Sequence, residues 1–508
     1  MPLYKEDNFL IISPGSESTY FSFGLKDTLS PPQFRIPTVV YQDQTSNEYF
    51  STKVSEDNAN TSTDADTSAS ASANASANAS ASANVNSNTD TNATSSINST
   101  RKEIWPIRDS KIVDLDAFNA LLRIILSSVI KQHPILTINQ IPMLLIAPSL
   151  TWSKRQVEYI TKYVFEKLEI TAFNVVDLSL AATFSIGGGT VNTTVVHVSE
   201  NNTQIVPVIG YQAIRFSGLY IKDAGENIII EEFKQTSNRE DLSTFQIKDL
   251  LHSGVFEFLH EGQETFHNKR IDKTTDGKDD EEFDVAKTVV NTDGAEEADD
   301  ANIKNNRDLE NNYFIDSRTK EKITVGKERF VSTSKLVDIV TKGIYDTLLG
   351  IDDLDRRQDC YDNIILVGSV FQIPGFKSQV ITKLMQDYLV TEPPTEKQNG
   401  NTDAAVNAAI ARYQQSDDFV DDANNAHSSS SLSQVPNNIS LAKFPDYFPE
   451  WKKPKALGGS WQDVYFLGGE IYAKQIFSGG SHHHNKELFV GSDMYEERGP
   501  QSIWDVTI

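Results

Sequence analysis

The sequence predicts an α/β fold with a mixed sheet, because short apolar runs typical of buried strands alternate with helical segments that carry one apolar face. The clearest unit is N-I-I-L-V-G-S-V-F-Q-I-P-G-F at residues 363–376. Its apolar run stops at Gly368, and Pro374 and Gly375 turn the chain before a helical pattern begins at Phe376. Such a unit can present backbone N–H groups to an anion or nucleotide, although an ordinary strand–helix connection shows the same pattern.

Other elements follow in order along the chain. Residues 9–25 predict a β-hairpin whose turn is Ser13-Pro14-Gly15-Ser16, and a third short strand is expected at residues 37–41. Helices are predicted at residues 114–132, 153–168, 175–185, 332–349 and 376–389, and further strands at residues 141–146, 193–198 and 203–209. Ser153 is the expected N-cap of the second helix.

Three polar stretches interrupt this pattern, at residues 51–100, 262–312 and 391–438. The first consists almost wholly of Ala, Ser, Asn, Thr and Asp, and the second is rich in Asp, Glu, Lys and Asn. Because they contain few apolar side chains that could offset the entropy of ordering, we expect all three to be disordered insertions. The acidic second stretch is most simply a solvated loop, although a basic partner could dock there.

The charge balance restricts the partners of the chain. Its 508 residues include 71 acidic and 46 basic side chains, a formal charge of −25, which argues against a whole-protein surface for nucleic acid or anionic membrane. It does not argue against membership of a DNA-handling assembly. The single cysteine, Cys360, excludes an intramolecular disulfide. No apolar run approaches the roughly 18 residues that span a bilayer, and no signal peptide is evident, so we expect an intracellular protein.

Motifs for catalysis or metal binding are weak. Neither G-x-x-x-x-G-K-[ST] nor G-x-S-x-G occurs in the sequence. The run His482-His483-His484 has no matching acid or cysteine nearby, so a solvated loop is favoured over a metal site. The basic cluster that starts at Trp451 lies beside Phe444, Tyr447 and Phe448. This cluster is either a small nucleic-acid patch or, as we favour, an aromatic loop packed on its own domain.

Several segments resemble the actin family in the same order along the chain. Residues 465–473, Y-F-L-G-G-E-I-Y-A, resemble actin's V-W-I-G-G-S-I-L-A, and residues 495–503, Y-E-E-R-G-P-Q-S-I, resemble Y-D-E-S-G-P-S-I-V. V-G-K-E-R-F at residues 325–330 matches I-G-N-E-R-F, and residues 368–375 fall on the adenosine loop G-G-T-T-M-Y-P-G. The resemblance implies two ribonuclease-H-like α/β halves around a central cleft. The first half would be residues 1–187 completed by 439–508, and the second would be residues 188–390.

Departures from the family pattern fall on the nucleotide site. Actin's phosphate loop D-N-G-S-G corresponds here to Ser13-Pro14-Gly15-Ser16-Glu17, so the aspartate is absent and a proline removes one N–H donor. The second loop, D-S-G-D-G, corresponds to His197-Val198-Ser199-Glu200-Asn201, without either glycine. The resemblance therefore implies a degenerate nucleotide cleft with no cofactor, no metal and no catalytic residue, in which we do not expect residual ATP. Its predicted lining residues are Ser13, Gly15, Ser16, His197, Glu200, Gly225, Gly368 and Ser369.

Within the family, L-A-K-F-P-D-Y-F-P-E-W-K-K at residues 441–453 resembles nuclear actin-related subunits of the SWI/SNF and RSC chromatin remodellers. The resemblance implies a nuclear, non-catalytic scaffold of transcription regulation. Its implied partners are actin-related protein seven, as a heterodimer, the helicase–SANT-associated helix of the remodeller ATPase subunit, other subunits and, indirectly, chromatin.

By position matching, the partner-helix cleft is predicted at Phe184, Tyr472, Ile476 and Phe477, with core packing as the alternative for each. Two other functions stay open from the sequence. One is an actin-fold protein that binds and slowly hydrolyses ATP. The other is a cytoplasmic dynactin-type subunit.

Overall fold

A computed structural model describes residues 4–26, 29–44, 46–53, 101–187, 191–275, 304–390, 435–453, 459–478 and 488–506. Of the insertions predicted to be disordered, at residues 51–100, 262–312 and 391–438, the parts 54–100, 276–303 and 391–434 lie outside these ranges. Within them, no helix combines the length and apolar character needed to cross a membrane.

The strands come in short runs through the whole described chain. They are β1 (Leu10–Pro14), β2 (Ser18–Phe23), β3 (Phe34–Pro37), β4 (Val40–Gln42), β5 (Tyr49–Phe50), β6 (Lys102–Ile104), β7 (Ile107–Arg108), β8 (Lys111–Ile112), β9 (Met143–Ala147), β10 (Ala172–Asp177), β11 (Asn192–Val198), β12 (Asn202–Ile209), β13 (Gln212–Ala213), β14 (Leu219–Lys222), β15 (Glu257–Phe258), β16 (Asn312–Ile315), β17 (Lys322–Val325), β18 (Phe330–Val331), β19 (Ile364–Val367) and β20 (Val490–Gly491).

Helices alternate with these strands. They are α1 (Leu115–Gln132), α2 (Lys154–Glu166), α3 (Leu178–Phe184), α4 (Glu226–Thr236), α5 (Thr244–His252), α6 (Phe266–Thr275), α7 (Lys335–Leu349), α8 (Leu354–Asp362), α9 (Phe376–Tyr388), α10 (Val464–Phe477), α11 (Ser492–Arg498) and α12 (Ile503–Val506). Ser153 forms a capping box with Gln156 at the start of α2, as its position predicts. The α/β prediction is confirmed.

Two mixed sheets form the frame of the molecule. The first has the order β20-β10-β9-β1-β2-β3, in which β1, β9 and β10 are parallel neighbours. The second has the order β13-β12-β11-β19, with β14 also paired to β12, and β11 runs parallel to β19. The hairpins β1–β2 and β11–β12 therefore occupy equivalent positions in the two sheets.

A shared helical layer joins the sheets. Because side chains alternate along a strand, Leu10 and Ile12 of β1 face one apolar cluster with α1 and α2, whereas Ile11 faces another. That second cluster contains α3 and α10, and it also receives Val195 and Ile365 from the second sheet. The outer face of the second sheet is covered by a third cluster that includes α4, α5, α7 and α9. Helices α3 and α10 thus lie between the two sheets.

Three sequence-based boundaries are corrected. The helix predicted at residues 175–185 is wrong in its first part, because residues 172–177 form β10. All six residues of β10 are buried, so this strand lacks the alternation of apolar and polar side chains that marks a half-buried strand. Residues predicted as the start and end of the second insertion are folded: 266–275 form α6, and the carbonyls of residues 306 and 310 accept hydrogen bonds from buried Arg329. Residues 440–442 bond to the second sheet before the chain returns to the first.

Candidate functional site

The residues predicted for the nucleotide cleft meet at one cavity between the two sheets. The turn β1–β2, the turn β11–β12 and the loop after β19 all reach it. Ser13, Gly15, Ser16, His197, Glu200, Gly368 and Ser369 line it, whereas Gly225 does not. The cavity measures about 100 Å³, smaller than the roughly 300–1,000 Å³ of typical small-molecule sites.

In the first turn, two of the groups that could contact a phosphate have protein partners, and a third is missing. Pro14 has no N–H, and the N–H of Gly15 donates to the Ser18 carbonyl at 3.0 Å. The Ser16 hydroxyl accepts from the backbone N–H of Ser110 at 2.8 Å. A Cβ on Gly15 would lie 2.7 Å from the Ser18 oxygen, so this glycine is required by the turn itself.

The second turn is occupied in the same way. The first N–H groups of α4, at Glu226 and Asn227, donate to the carbonyls of Ser199 and Glu200, both at 3.1 Å. These are the donors that a helix N-terminus would otherwise offer to an anion. Gly225 packs against this turn, since a Cβ there would lie 2.3 Å from the Glu200 carbonyl oxygen. The close approach of this backbone oxygen therefore explains the glycine at position 225.

The loop after β19 approaches the second turn closely. Gly368 has φ +118°, and a Cβ there would lie 2.0 Å from the Val198 carbonyl oxygen, so both its conformation and its surroundings require glycine. The Gly368 N–H donates to the Gln462 carbonyl at 2.8 Å. The Ser369 hydroxyl donates to the Glu226 carboxylate at 2.8 Å. Both groups are therefore hydrogen-bonded within the protein.

The cavity lining carries more carboxyl groups than cations. Its lining includes four carboxyl groups, those of Glu17, Glu200, Glu226 and Asp463, and one arginine, Arg35. Lys248 adds one further permanent cation through its contacts with Glu17 and Glu200. His252, paired with Glu226, and Lys377, whose charge acts on Asp463, add positive charge from outside the lining, so the carboxyl groups are paired within the protein.

Several ionisable groups in the lining have shifted pKa values. Burial lowers the pKa of His197 to about 4, so its imidazole is neutral at pH 7 and cannot attract phosphate. Burial also raises the pKa of Asp463 to about 6, against the opposing charge of Arg35. Glu226 differs, because its partner His252 outweighs burial and lowers the pKa of that carboxyl.

Lys248 is one of the residues at the site that the sequence did not predict, together with Arg35, Glu226 and Asp463 of the lining. It lies on α5, and its Nζ is 3.2 Å from a carboxylate oxygen of Glu17 and hydrogen-bonded to Glu200. These partners lie 231 and 48 positions away. No local pattern signals a contact at such distances.

The four residues predicted for a partner-helix cleft are not equally accessible. Tyr472, Ile476 and Phe477 are only 2%, 4% and 1% exposed and belong to the cluster between the sheets. Phe477 packs edge-on against Phe9, with ring centroids 5.4 Å apart. The structure therefore favours the core-packing alternative for these three side chains.

Phe184 keeps part of its surface and lies in an aromatic column. Its ring stacks on Tyr472 at 5.4 Å and on Tyr211 at 5.5 Å. Tyr211 belongs to the turn between β12 and β13, so the column links the two halves, and both Phe184 and Tyr211 are half-buried. Sequence reasoning missed Tyr211. Its backbone angle, φ +60°, is uncommon for an aromatic residue, but only the structure shows it.

The basic cluster that starts at Trp451 is explained by packing and by ion pairs where the structure describes it. Trp451 is fully buried and donates to the Leu29 carbonyl at 3.1 Å, which supports packing over a nucleic-acid patch. Lys452 and Lys453 are paired with Asp446 and Glu450. The residues His482-His483-His484 lie outside the described residues. The described ranges contain no group of three or more side chains placed to hold a metal ion.

Comparisons with known proteins agree with this frame. A family model described as actin matches residues 5–399. Over 552 aligned positions the chain is 24% identical to the SWI/SNF and RSC complexes subunit arp9 of Schizosaccharomyces pombe, and the alignment covers 99% of both proteins.

Proposed function

Since this chain belongs to the actin family, we propose that it is a non-catalytic, structural and regulatory subunit of a nuclear ATP-dependent chromatin-remodelling complex. One observation carries the proposal: the similarity to a protein named as a SWI/SNF and RSC subunit runs end to end. The alignment also covers the C-terminal segment beyond residue 399, where the match to the actin family model ends.

The cavity supports the non-catalytic part of the proposal. Catalysis of phosphoryl transfer depends on positioning and on charge stabilisation by donors and metal ions. Here the N–H groups of Gly15, Glu226 and Gly368 are bonded within the protein, and carboxyl groups outnumber cations. Such a site supplies neither the donors nor the positive charge that the reaction requires.

The proposed partners are the helicase–SANT-associated helix of the ATPase subunit and a second actin-related protein, actin-related protein seven. An amphipathic helix binds by laying its apolar face into a groove. Phe184 and Tyr211 are half-buried, ring-stacked and contributed by different halves, which is the kind of rigid aromatic surface that anchors such a helix. We place the anchor site at these two residues.

Purification of tagged protein from cells, with mass spectrometry, tests this proposal. The unmodified chain is expected to recover a remodeller ATPase and a second actin-related protein. Phe184→Ser combined with Tyr211→Ser removes both anchors, so recovery of the ATPase is expected to fall at least about ten-fold. Tyr159→Ser is a matched control, because Tyr159 is 54% exposed on α2 and outside the column.

Two outcomes contradict the proposal. Recovery of dynactin-type subunits without a remodeller would assign the chain to another assembly. Equal recovery of the ATPase by the double variant and the Tyr159→Ser control would remove the aromatic column from the interface. A circular-dichroism melt of each variant separates loss of binding from loss of folding.

A further inference from the structure

Lys248 lies at the junction of three elements inside the cavity region. It is carried by α5, whose apolar residues Ile247, Leu250 and Leu251 anchor the helix in the core of the second half. Its side chain is 15% exposed, compared with 43% for Glu17 and 29% for Glu200. Because the ammonium group is largely withdrawn from water, its ion pairs are screened less than surface pairs.

The two carboxylates that contact Lys248 come from opposite halves. Glu17 belongs to the turn β1–β2 of the first sheet, whereas Glu200 belongs to the turn β11–β12 of the second. Both contact the same nitrogen, so the carboxylates face one another across the cavity with only the ammonium group between them. Without that cation, two negative charges would be held close together in a partly buried site.

The charge of Glu226 also acts on Lys248, but the contact partner of Glu226 is another residue. Glu226 pairs with His252, whose Nε2 lies 3.1 Å from its carboxylate. Arg35 donates to the Ser18 hydroxyl at 3.1 Å and does not pair with Glu17. Burial alone would lower the pKa of Lys248, but the hydrogen bond to Glu200 and the charges of Glu17 and Glu200 outweigh it and raise the pKa. Lys248 is therefore charged at neutral pH.

We propose that Lys248 is an internal cation that holds the cleft closed in the absence of any ligand. It joins the two facing turns from within the protein, at the place where their carboxylates would otherwise push the halves apart. Closure then depends on one side chain of α5 and not on a bound nucleotide. The inference goes beyond the proposed function, because it does not depend on which complex contains the chain.

Two hydrogen bonds between uncharged groups also join the halves. The hairpin β7–β8 of the first half reaches the second sheet, where the Asn202 amide donates to the Ser110 hydroxyl at 3.2 Å and Tyr220 donates to the Asp109 carbonyl at 3.2 Å. These contacts remain when Lys248 is changed. Loss of the cation is therefore expected to loosen the cleft without unfolding either half.

Hydrogen exchange of the full-length protein measures this loosening. The Leu150 N–H of the first half donates to the Gln204 side chain of the second at 3.1 Å, so its exchange reports separation of the halves. In Lys248→Met the two carboxylates repel, and exchange at Leu150 and residues 13–18 is expected to rise about ten-fold or more. Glu17→Gln removes both the attraction between Glu17 and Lys248 and the repulsion between Glu17 and Glu200. A smaller rise in exchange is therefore expected.

Lys383→Met is the matched control, since Lys383 pairs with Asp387 and Asp338 within the second half. Its exchange at Leu150 should equal that of the unmodified protein. Unchanged exchange in Lys248→Met, or an equal rise in Lys383→Met, would overturn the proposal. If Lys248→Met fails to fold, Glu17→Gln decides: a rise at Leu150 supports the proposal, and no rise contradicts it.

Discussion

Gly468→Ala is expected to destabilise the fold more than an alanine at Gly15, Gly225 or Gly368. A Cβ on Gly468 would lie 1.6 Å from the carbonyl oxygen of Ala181 and 3.1 Å from the backbone nitrogen of Ser185. These atoms belong to the backbone around α3 and cannot rotate away. The helices α3 and α10 would have to separate inside the layer between the two sheets, where close packing leaves no space.

Urea unfolding of Gly468→Ala should show a loss of about 3 kcal/mol or more, the upper range for overpacked cores. Gly491→Ala is the matched control, because the nearest atom to its added Cβ is 4.0 Å away. A Gly468→Ala protein as stable as the Gly491→Ala control would show that the two helices do not pack this closely.

Glu470→Gln is expected to stabilise the protein at neutral and alkaline pH. Glu470 is 2% exposed on α10, and its Oε2 has no hydrogen-bond partner among the described residues. Burial, opposed only weakly by Lys26, raises the pKa of this carboxyl well above its ordinary value. Because the folded state must keep this carboxyl protonated while the unfolded state releases the proton, removing the ionisable group should add about 1–3 kcal/mol at pH 8.

The pH dependence follows from the direction of that shift. A raised folded-state pKa means that, above about pH 4.5, the unfolded state has lost a proton that the folded state keeps. Stability is therefore fully present below that pH and falls as pH rises toward the folded-state pKa. Unfolding from pH 4 to 9 should show this fall in the unmodified protein and a flatter profile in Glu470→Gln.

The exposed Glu497 provides the control for that series, because Glu497→Gln removes a carboxyl group without changing the core. Parallel pH profiles for Glu470→Gln and the unmodified protein would contradict the assignment of a neutral buried carboxyl.

Local patterns in the sequence predicted much of the frame. The first hairpin, the helix after Ser153 and the strand–turn–helix at residues 363–376 are all present, because each depends on neighbours in the chain. The failure at residues 172–177 has a physical cause. A strand buried on both faces loses its alternation, so the apolar run there matches a buried helix equally well.

The sequence predicted which loops meet at the cavity, but not the contacts that their residues make there. The glycines at 225, 368 and 468 resemble a nucleotide-site or family pattern. Each is explained by packing, because a Cβ added there would meet a backbone oxygen. The pairing of Lys248 with Glu17 joins distant segments, and only the folded chain brings them together. Aromatic residues near the C-terminus looked like a partner surface because sequence does not distinguish buried from exposed apolar side chains.

Calorimetric titration with ATP and Mg²⁺ tests the central claim most directly. The N–H groups of Gly15, Glu226 and Gly368 are bonded within the protein, the cavity lining holds more carboxyl groups than cations, and Lys248 already joins the facing turns. No heat of binding and no phosphate release are therefore expected, even at millimolar nucleotide. Micromolar affinity with measurable turnover would contradict the account and favour an actin-fold ATPase.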